Sequence, residues 1–355
     1  MGKAGLVGWC AAVIAGLSLL GSAGGGEVAL PRYRVTVVDE IPGSTYPRPT
    51  ALNNRGDILI ETSLRTDKRI HSYRWSQGRI VDVSALVGQS RGSDRSLIAY
   101  ARAINDKGDI VGGFLTAEGK EAGHAFHWHD GTLTDLRTLG GKSSEAWDVN
   151  NAGQVVGRAE NAKGETRAFL WEAGRGMRDL NAPGRDPWAF RISGKGQVIG
   201  YTEGNTRSFQ WERGKATILN PTPLEGFKAF VALNINERGD IIGGFDRGGA
   251  GGTHEDRIAL YRDGKTTLIE LPQPSKSSNA FGLTSNGLVV GNAFQTPSGQ
   301  HAFIWKDGKS ALLNHLLPPE EKWDIYFATA VNDKGQIAAV GRREGKTHML
   351  LLTPQ

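Results

Sequence analysis

The apolar positions of this chain fall in short bursts, each bounded by glycine or a polar turn, and few of them keep a helical period. Seven bursts share one form: LNNRGDILI, INDKGDIVG, VNNAGQVVG, ISGKGQVIG, INERGDIIG, LTSNGLVVG and VNDKGQIAA. Each reads as the end of one strand, a four-residue turn and the start of a second strand. Asn caps such a turn with its side chain, and Gly supplies the positive φ that the turn requires. The turn glycines are Gly56, Gly108, Gly153, Gly196, Gly239, Gly287 and Gly335, spaced 52, 45, 43, 43, 48 and 48 residues apart. A period in the forties repeated seven times is the signature of a repeat architecture.

A second motif follows each turn. It reads HSYRW (His71–Trp75), HAFHW (His124–Trp128), RAFLW (Arg167–Trp171), RSFQW (Arg207–Trp211), RIALY (Arg257–Tyr261), HAFIW (His301–Trp305) and HMLLL (His348–Leu352). This is a third strand, in which His124, Phe126 and Trp128 share one face and His127 and His129 share the other. Asp-Gly pairs at Asp130-Gly131, Asp263-Gly264 and Asp307-Gly308 predict hairpins into a fourth strand, such as Thr132–Leu136. Strand two ends on a glycine (Gly112, Gly157, Gly200, Gly243, Gly291). Inside a strand, glycine implies that another backbone approaches closely. The best helical candidate, Leu312–Lys322, is interrupted by Pro318-Pro319.

Four-stranded units of this length predict an all-β fold, a seven-bladed β-propeller. The seventh unit supplies three strands before the chain stops at Gln355. The segment Tyr33–Glu40 has no partner of its own, so it is expected to complete the last blade. An open stack of sheets is the competing architecture, but it needs polar capping repeats that the ends do not show. Residues 27–355 are thus one expected domain.

HAFHW, RAFLW and HAFIW, each after an IN-x-x-G-x-[IV]-V-G segment, resemble the extracellular HAF repeat family of bacterial proteins. Thr134–Gly157 (TDLRTLGGKSSEAWDVNNAGQVVG) is the best single match, and the resemblance covers most of residues 33–355. It implies export and a repeat fold, and it implies no activity or catalytic residue.

Residues 1–26 read as a signal peptide: an early charge, the apolar run AGLVGWCAAVIAGLSLLG, then small residues near Ala23. The alternative is an uncleaved anchor, since about 20 apolar residues just span a bilayer. A secreted or periplasmic location follows from cleavage, with no membrane span in the mature chain. Cys10 is the only cysteine and lies inside this run, so the mature chain relies on burial and strand pairing instead of disulfides. The 49 glycines among 355 residues are about twice the usual share and fit a turn-rich protein. The net charge of +5 is modest, with no block of like charges, which argues against a nucleic-acid partner. A monomer is expected, with no cofactor.

Three histidines lie within six residues in HAFHWH, but the motif's first His exchanges with Arg in other units. That suits a shared hydrogen-bonding role better than a metal ligand. No metal site is expected. RGD at Arg55–Asp57 and Arg238–Asp240 is a by-product of the turn, and no phosphate loop, G-x-S-x-G or H-E-x-x-H occurs.

Variation between units therefore points to function. The loops entering each first strand should open on one face beside the axis. They bring Tyr46, Arg95, Tyr100, Trp147, Asp148, Trp188, Arg191, Trp323, Asp324 and Tyr326 toward one mouth, as candidate ligand-binding residues. Aromatics with interspersed charge suit a glycan, a peptide or an extracellular protein. Packing between blades is the other reading of the three tryptophans. A non-catalytic binding module follows from this pattern. The alternative is a carbohydrate lyase or glycosidase with acid and base drawn from Asp148, Asp324, Arg191 or Tyr326.

Overall fold

The computed structural model describes residues 29–355 apart from 39, 67–68, 91–96, 117–122, 204–206, 222–224, 226, 228, 247–256, 276 and 296–298. The expected leader, residues 1–26, lies outside the described residues, as does Arg95. No helix among the described residues is long and apolar enough to cross a membrane.

The chain is a seven-bladed β-propeller. Seven antiparallel sheets of four strands each follow one another along the sequence. The first strands of blades 1 to 7 are Ser44–Leu52, Leu97–Ile104, Gly140–Val149, Trp188–Ile192, Ala229–Ile235, Ser277–Leu283 and Asp324–Val331. Each touches the first strand of the next blade, and the seventh touches the first, so they form the inner ring. Blade 3 shows the common plan: Gly140–Val149, Val155–Asn161, Thr166–Glu172 and Gly176–Asp179, in spatial order.

The ring closes as the sequence predicts. Tyr33–Val37 pairs antiparallel with Lys346–Pro354 and becomes the outer strand of blade 7. Tyr33 is fully buried there, and its hydroxyl has no hydrogen-bond partner among the described residues. Burial pushes that hydroxyl far above its ordinary pKa. An unpaired buried hydroxyl is a cost without a return, so Tyr33→Phe is expected to raise stability by about 1 kcal/mol in urea denaturation.

The apolar doublet after each turn explains how one strand serves two cores. Consecutive strand residues face opposite sides, and each blade is covered on both faces. Ile110 enters the core between blades 1 and 2, and Val111 the core between blades 2 and 3. Val155 and Val156 divide in the same way, as do Ile241 and Ile242. Seven apolar clusters result, one in each gap between neighbouring blades. The gap between blades 7 and 1 is filled by Ala338, Met349 and Leu351 against Ile58 and Ile60.

The turn asparagines do more than cap. The Asn105 side-chain oxygen accepts the Lys107 and Asp109 N–H groups. Its amide also donates 2.9 Å to the Asn150 carbonyl of the next blade. Asn53, Asn150, Asn236 and Asn332 reach the next blade in the same manner, and Asn332 closes the circle onto the Asn53 carbonyl at 2.8 Å. Blades 4 and 6 place Ser193 and Thr284 at this position.

Two helical regions depart from expectation. The sequence signals no helix at Val83–Ser90, yet one forms, docked by buried Val83 and Val87. Ser84 ties it down by accepting the Ser72 N–H and donating to the Ala99 carbonyl. The candidate at Leu312–Lys322 becomes two 3-10 turns, Leu313–Leu316 and Pro319–Glu321. Pro318 separates them because it cannot continue a helical hydrogen-bond ladder.

Candidate functional site

Every first strand carries a bulge at one place, three residues before the turn Asn or its Ser or Thr equivalent. The extra residues are Thr50, Arg102, Trp147, Phe190, Leu233, Phe281 and Thr329. A bulge re-aims a side chain. The position before each is buried and, in blades 2 to 7, an alanine, whereas the bulge residues are half-buried. They meet neighbours across the inner ring. The Arg102 guanidinium lies 4.6 Å from the Trp147 ring, and Trp147 lies 5.6 Å from Phe190. Phe281 meets Phe327 of blade 7 at 5.6 Å. These side chains, with those two residues earlier, sit on the inner-ring strands, set back from the axial pocket that the N-x-x-G turns line, and form an inner wall there.

This wall is not uniform. From blade 1 to blade 4 its paired positions are Arg48 and Thr50, Tyr100 and Arg102, Glu145 and Trp147, then Trp188 and Phe190. From blade 5 to blade 7 they are Val231 and Leu233, Asn279 and Phe281, then Phe327 and Thr329. One arc is charged and aromatic, and the other has no charge at these positions.

The charged arc is a chain of alternating ion pairs across three blades. Arg48 donates to Glu61 at 2.9 Å, and Arg102 stands 3.7 Å from the other Glu61 oxygen. Arg102 donates to one Glu145 oxygen at 3.1 Å, and Arg158 donates to the other at 2.8 and 3.1 Å. The glutamates are the inner members, with side chains 14% and 9% exposed. The arginines face outward, with Arg48, Arg102 and Arg158 at 57%, 30% and 52%. Aromatic rings support them: Arg102 lies 4.8 Å from the Tyr100 ring, and Arg158 lies 5.9 Å from Trp188. Burial, followed by the Glu145 charge, pushes the Tyr100 hydroxyl well above its ordinary pKa. A cleft of about 320 Å³ opens beside this chain, lined by Tyr100, Ser143, Glu145, Arg158, Glu160 and Thr166 among others.

The expected mouth residues divide into groups. Tyr100, Trp147, Trp188 and Arg191 gather in blades 2 to 4. Trp147 and Trp188 are edge-to-face at 4.6 Å, and the Arg191 guanidinium covers Phe190 at 4.0 Å. Tyr201 closes the cluster, its hydroxyl donating to the Ala232 carbonyl at 2.6 Å and pushed by burial to about 12. Tyr46 stands apart at the rim of blade 1, almost wholly exposed and with φ of 53°. Trp323 is buried in the core between blades 6 and 7, and its indole donates to Glu321. Tyr326 lies beneath Arg342, and Asp324 is exposed beside Asn314.

Asp148 serves as a tie. One of its oxygens accepts the Val149 N–H and the other accepts the Ile192 N–H of blade 4, each at 3.0 Å. Burial pushes its carboxyl up, and Arg191 and the two N–H bonds oppose that shift. Asp148 and Asp324 are engaged by different blades and do not share a partner.

Sequence reading missed Arg102, Glu145, Arg158 and Phe190. The sequence expectation rests on the loops, whereas these residues stand on strands, Arg102 and Phe190 at their bulges. Comparing the units at the positions three and five residues before the turn Asn is enough to find three of the four.

The other motifs resolve into the scaffold. His124 pairs with Asp135 of the outer strand at 3.0 Å, and Arg167 stands 3.4 Å from the equivalent Asp179. That is the shared polar role of the His/Arg position. His129 and His127 turn to Asp109, and burial lowers the His127 pKa. No cluster of three candidate ligands for a metal occurs among the described residues. In both RGD turns the Asp is buried and paired with its own Arg, Arg55 to Asp57 at 2.7 Å and Arg238 to Asp240 at 3.0 Å. For Asp57, burial pushes the carboxyl up, but bonds from Ser76, Asn53 and Arg55 outweigh it and hold the group below its usual range.

The fold and wall together define a propeller with one chemically distinct arc at its axial mouth. No protein-family model and no curated protein matches the chain. Solved propellers do match in fold. The β-propeller domain of the Trilobed protease from Pyrococcus furiosus, described as having an open velcro topology, aligns with a TM-score of 0.57 at 12% identity, covering 87% of this chain and 96% of its own. In the present chain the ring is instead closed by its first strand. YCF48 bound to D1 peptide aligns with a TM-score of 0.52 at 12% identity, over 92% and 98% of the two chains. YCF48 from Cyanidioschyzon merolae gives 0.51 at 9% identity, over 90% and 98%.

Proposed function

We propose that the protein is an exported, non-catalytic binding module of the extracellular HAF repeat type, which holds a glycan, peptide or protein ligand at its axial mouth. The observation that carries this reading is the asymmetry of the inner wall. Seven blades share one scaffold, yet these paired positions carry charge only in blades 1 to 3 and tyrosine or tryptophan only in blades 2 to 4. Structural duty is the same in every blade, so it does not account for that difference. A neighbour of like fold holds a peptide, which is one of the ligand classes named here. The signal-like leader supports export.

A thermal-melt screen of the purified protein against glycans, short peptides and divalent ions tests the reading. A ligand that binds only the native state adds about 2.7 kcal/mol at 100-fold excess over its Kd. The ligand-induced shift is expected to disappear in Trp147→Ala, whatever that substitution does to the unliganded melting point. A full shift retained in the variant would place binding elsewhere.

A further inference from the structure

We infer that the ligand of this mouth is an acidic peptide segment, its carboxylates meeting Arg158, Arg102 and Arg48 and its apolar side chains meeting blades 5 to 7. The inference rests on the mouth being the binding site. The ion chain is layered, with glutamates inside and arginines outside, so the surface offered to a ligand is positive. Arg158 spends Nε and Nη2 on Glu145, and Arg48 spends Nη2 on Glu61. Each keeps further N–H groups for an incoming carboxylate, which the planar guanidinium fork suits. Glu160 also lines the cleft, and one of its oxygens accepts the Lys142 N–H at 3.0 Å.

The opposite arc selects between acidic ligands. Four of its six positions, Val231, Leu233, Phe281 and Phe327, are apolar, and Asn279 and Thr329 alone among them offer polar side chains. An oligosaccharide carries hydroxyls around every ring and would leave some of them desolvated without hydrogen bonds against this arc. A peptide places carboxylates and apolar side chains on separate residues and satisfies both arcs at once.

The probe is a fluorescently labelled octapeptide of alternating glutamate and leucine, measured by anisotropy against the purified protein. Peptides with lysine or glutamine in place of glutamate, and oligogalacturonate, serve as comparisons. The acidic peptide is expected to bind, and to weaken as salt screens the charges. Arg158→Gln is expected to weaken it about tenfold, the scale of one charge-assisted hydrogen bond. Glu145→Gln frees both neighbouring arginines and is expected to tighten binding several-fold (roughly three to ten). Melting curves verify that each variant folds. Equal or tighter binding of the lysine peptide overturns the inference. So does preferential binding of oligogalacturonate, which leaves the binding mouth standing. Equal binding of the glutamine peptide, lost in Trp147→Ala, also keeps the mouth but removes the acidic preference. If no probe binds, the inference falls, while a ligand from the melt screen that depends on Trp147 still upholds the mouth.

Discussion

Gly157→Val is expected to cost about 3 kcal/mol of folding stability, within the upper range for overpacking a core. Gly157 lies in the second strand of blade 3, opposite Phe169 and beside the bulge of the first strand. A Cβ there would overlap the Glu145 carbonyl oxygen and stand 2.8 Å from the Phe169 ring. Both obstacles are fixed, one by the sheet and the other by a fully buried side chain. The same carbonyl approaches Gly112, Gly200, Gly243 and Gly291 from Tyr100, Trp188, Val231 and Asn279. The glycine, the bulge and the Phe of the third strand are therefore one device. Blade 5 shows the coupling by its exception. Its third strand has Ala259 opposite Gly243, and Phe230 of the first strand covers the glycine instead. Gly244 next door has open space, so Gly244→Ala is expected to change stability by less than about 0.5 kcal/mol in the same urea titration. Equal losses at both sites would remove the close-approach explanation.

Asn105→Ala carries the second large expected loss, again about 3 kcal/mol. The side chain is buried, and its removal strands two N–H groups in its own turn and the Asn150 carbonyl in the next blade. It also takes a donor from Asp109 at 2.6 Å. Each buried group left unpaired costs about 1–3 kcal/mol, with partial relief from water. Asn105→Ser is expected to lose about half as much. The serine at the equivalent position of blade 4, Ser193, still accepts the Gln197 N–H at 3.2 Å. If serine and alanine prove equally harmful, the bond to the next blade is the whole effect and the turn bonds contribute little.

The fold was open to sequence reading because its strongest signals are local and repeated seven times. The turn Asn and Gly, the apolar doublet and the Asp-Gly hairpins each have a backbone reason to occur where they do. Strand closure by Tyr33–Glu40 followed from counting strands in the last unit. The site was harder to read. Trp147, Trp188, Tyr100 and Arg191 were marked by composition, and the strands bring them together. Trp323 carried the same mark but packs into a core, since its segment enters blade 7 below a 3-10 turn that a one-dimensional pattern does not foretell. Arg102, Glu145 and Arg158 escaped notice because charged residues on a strand look like a solvated face. Arg102 stands at a bulge, between Glu61 of blade 1 and Glu145 of blade 3, and only the radial arrangement sets Glu145 between Arg102 of the preceding blade and Arg158 of its own.

Amide hydrogen exchange with and without a ligand from the melt screen tests the central claim most directly. The account predicts slowed exchange at the loop end of the first strands, around residues 48–50, 100–102, 145–147 and 188–191 and at the facing first strands of blades 5 to 7, with the N-x-x-G turns unchanged. Protection confined to the turn face or to the outer strands would contradict it.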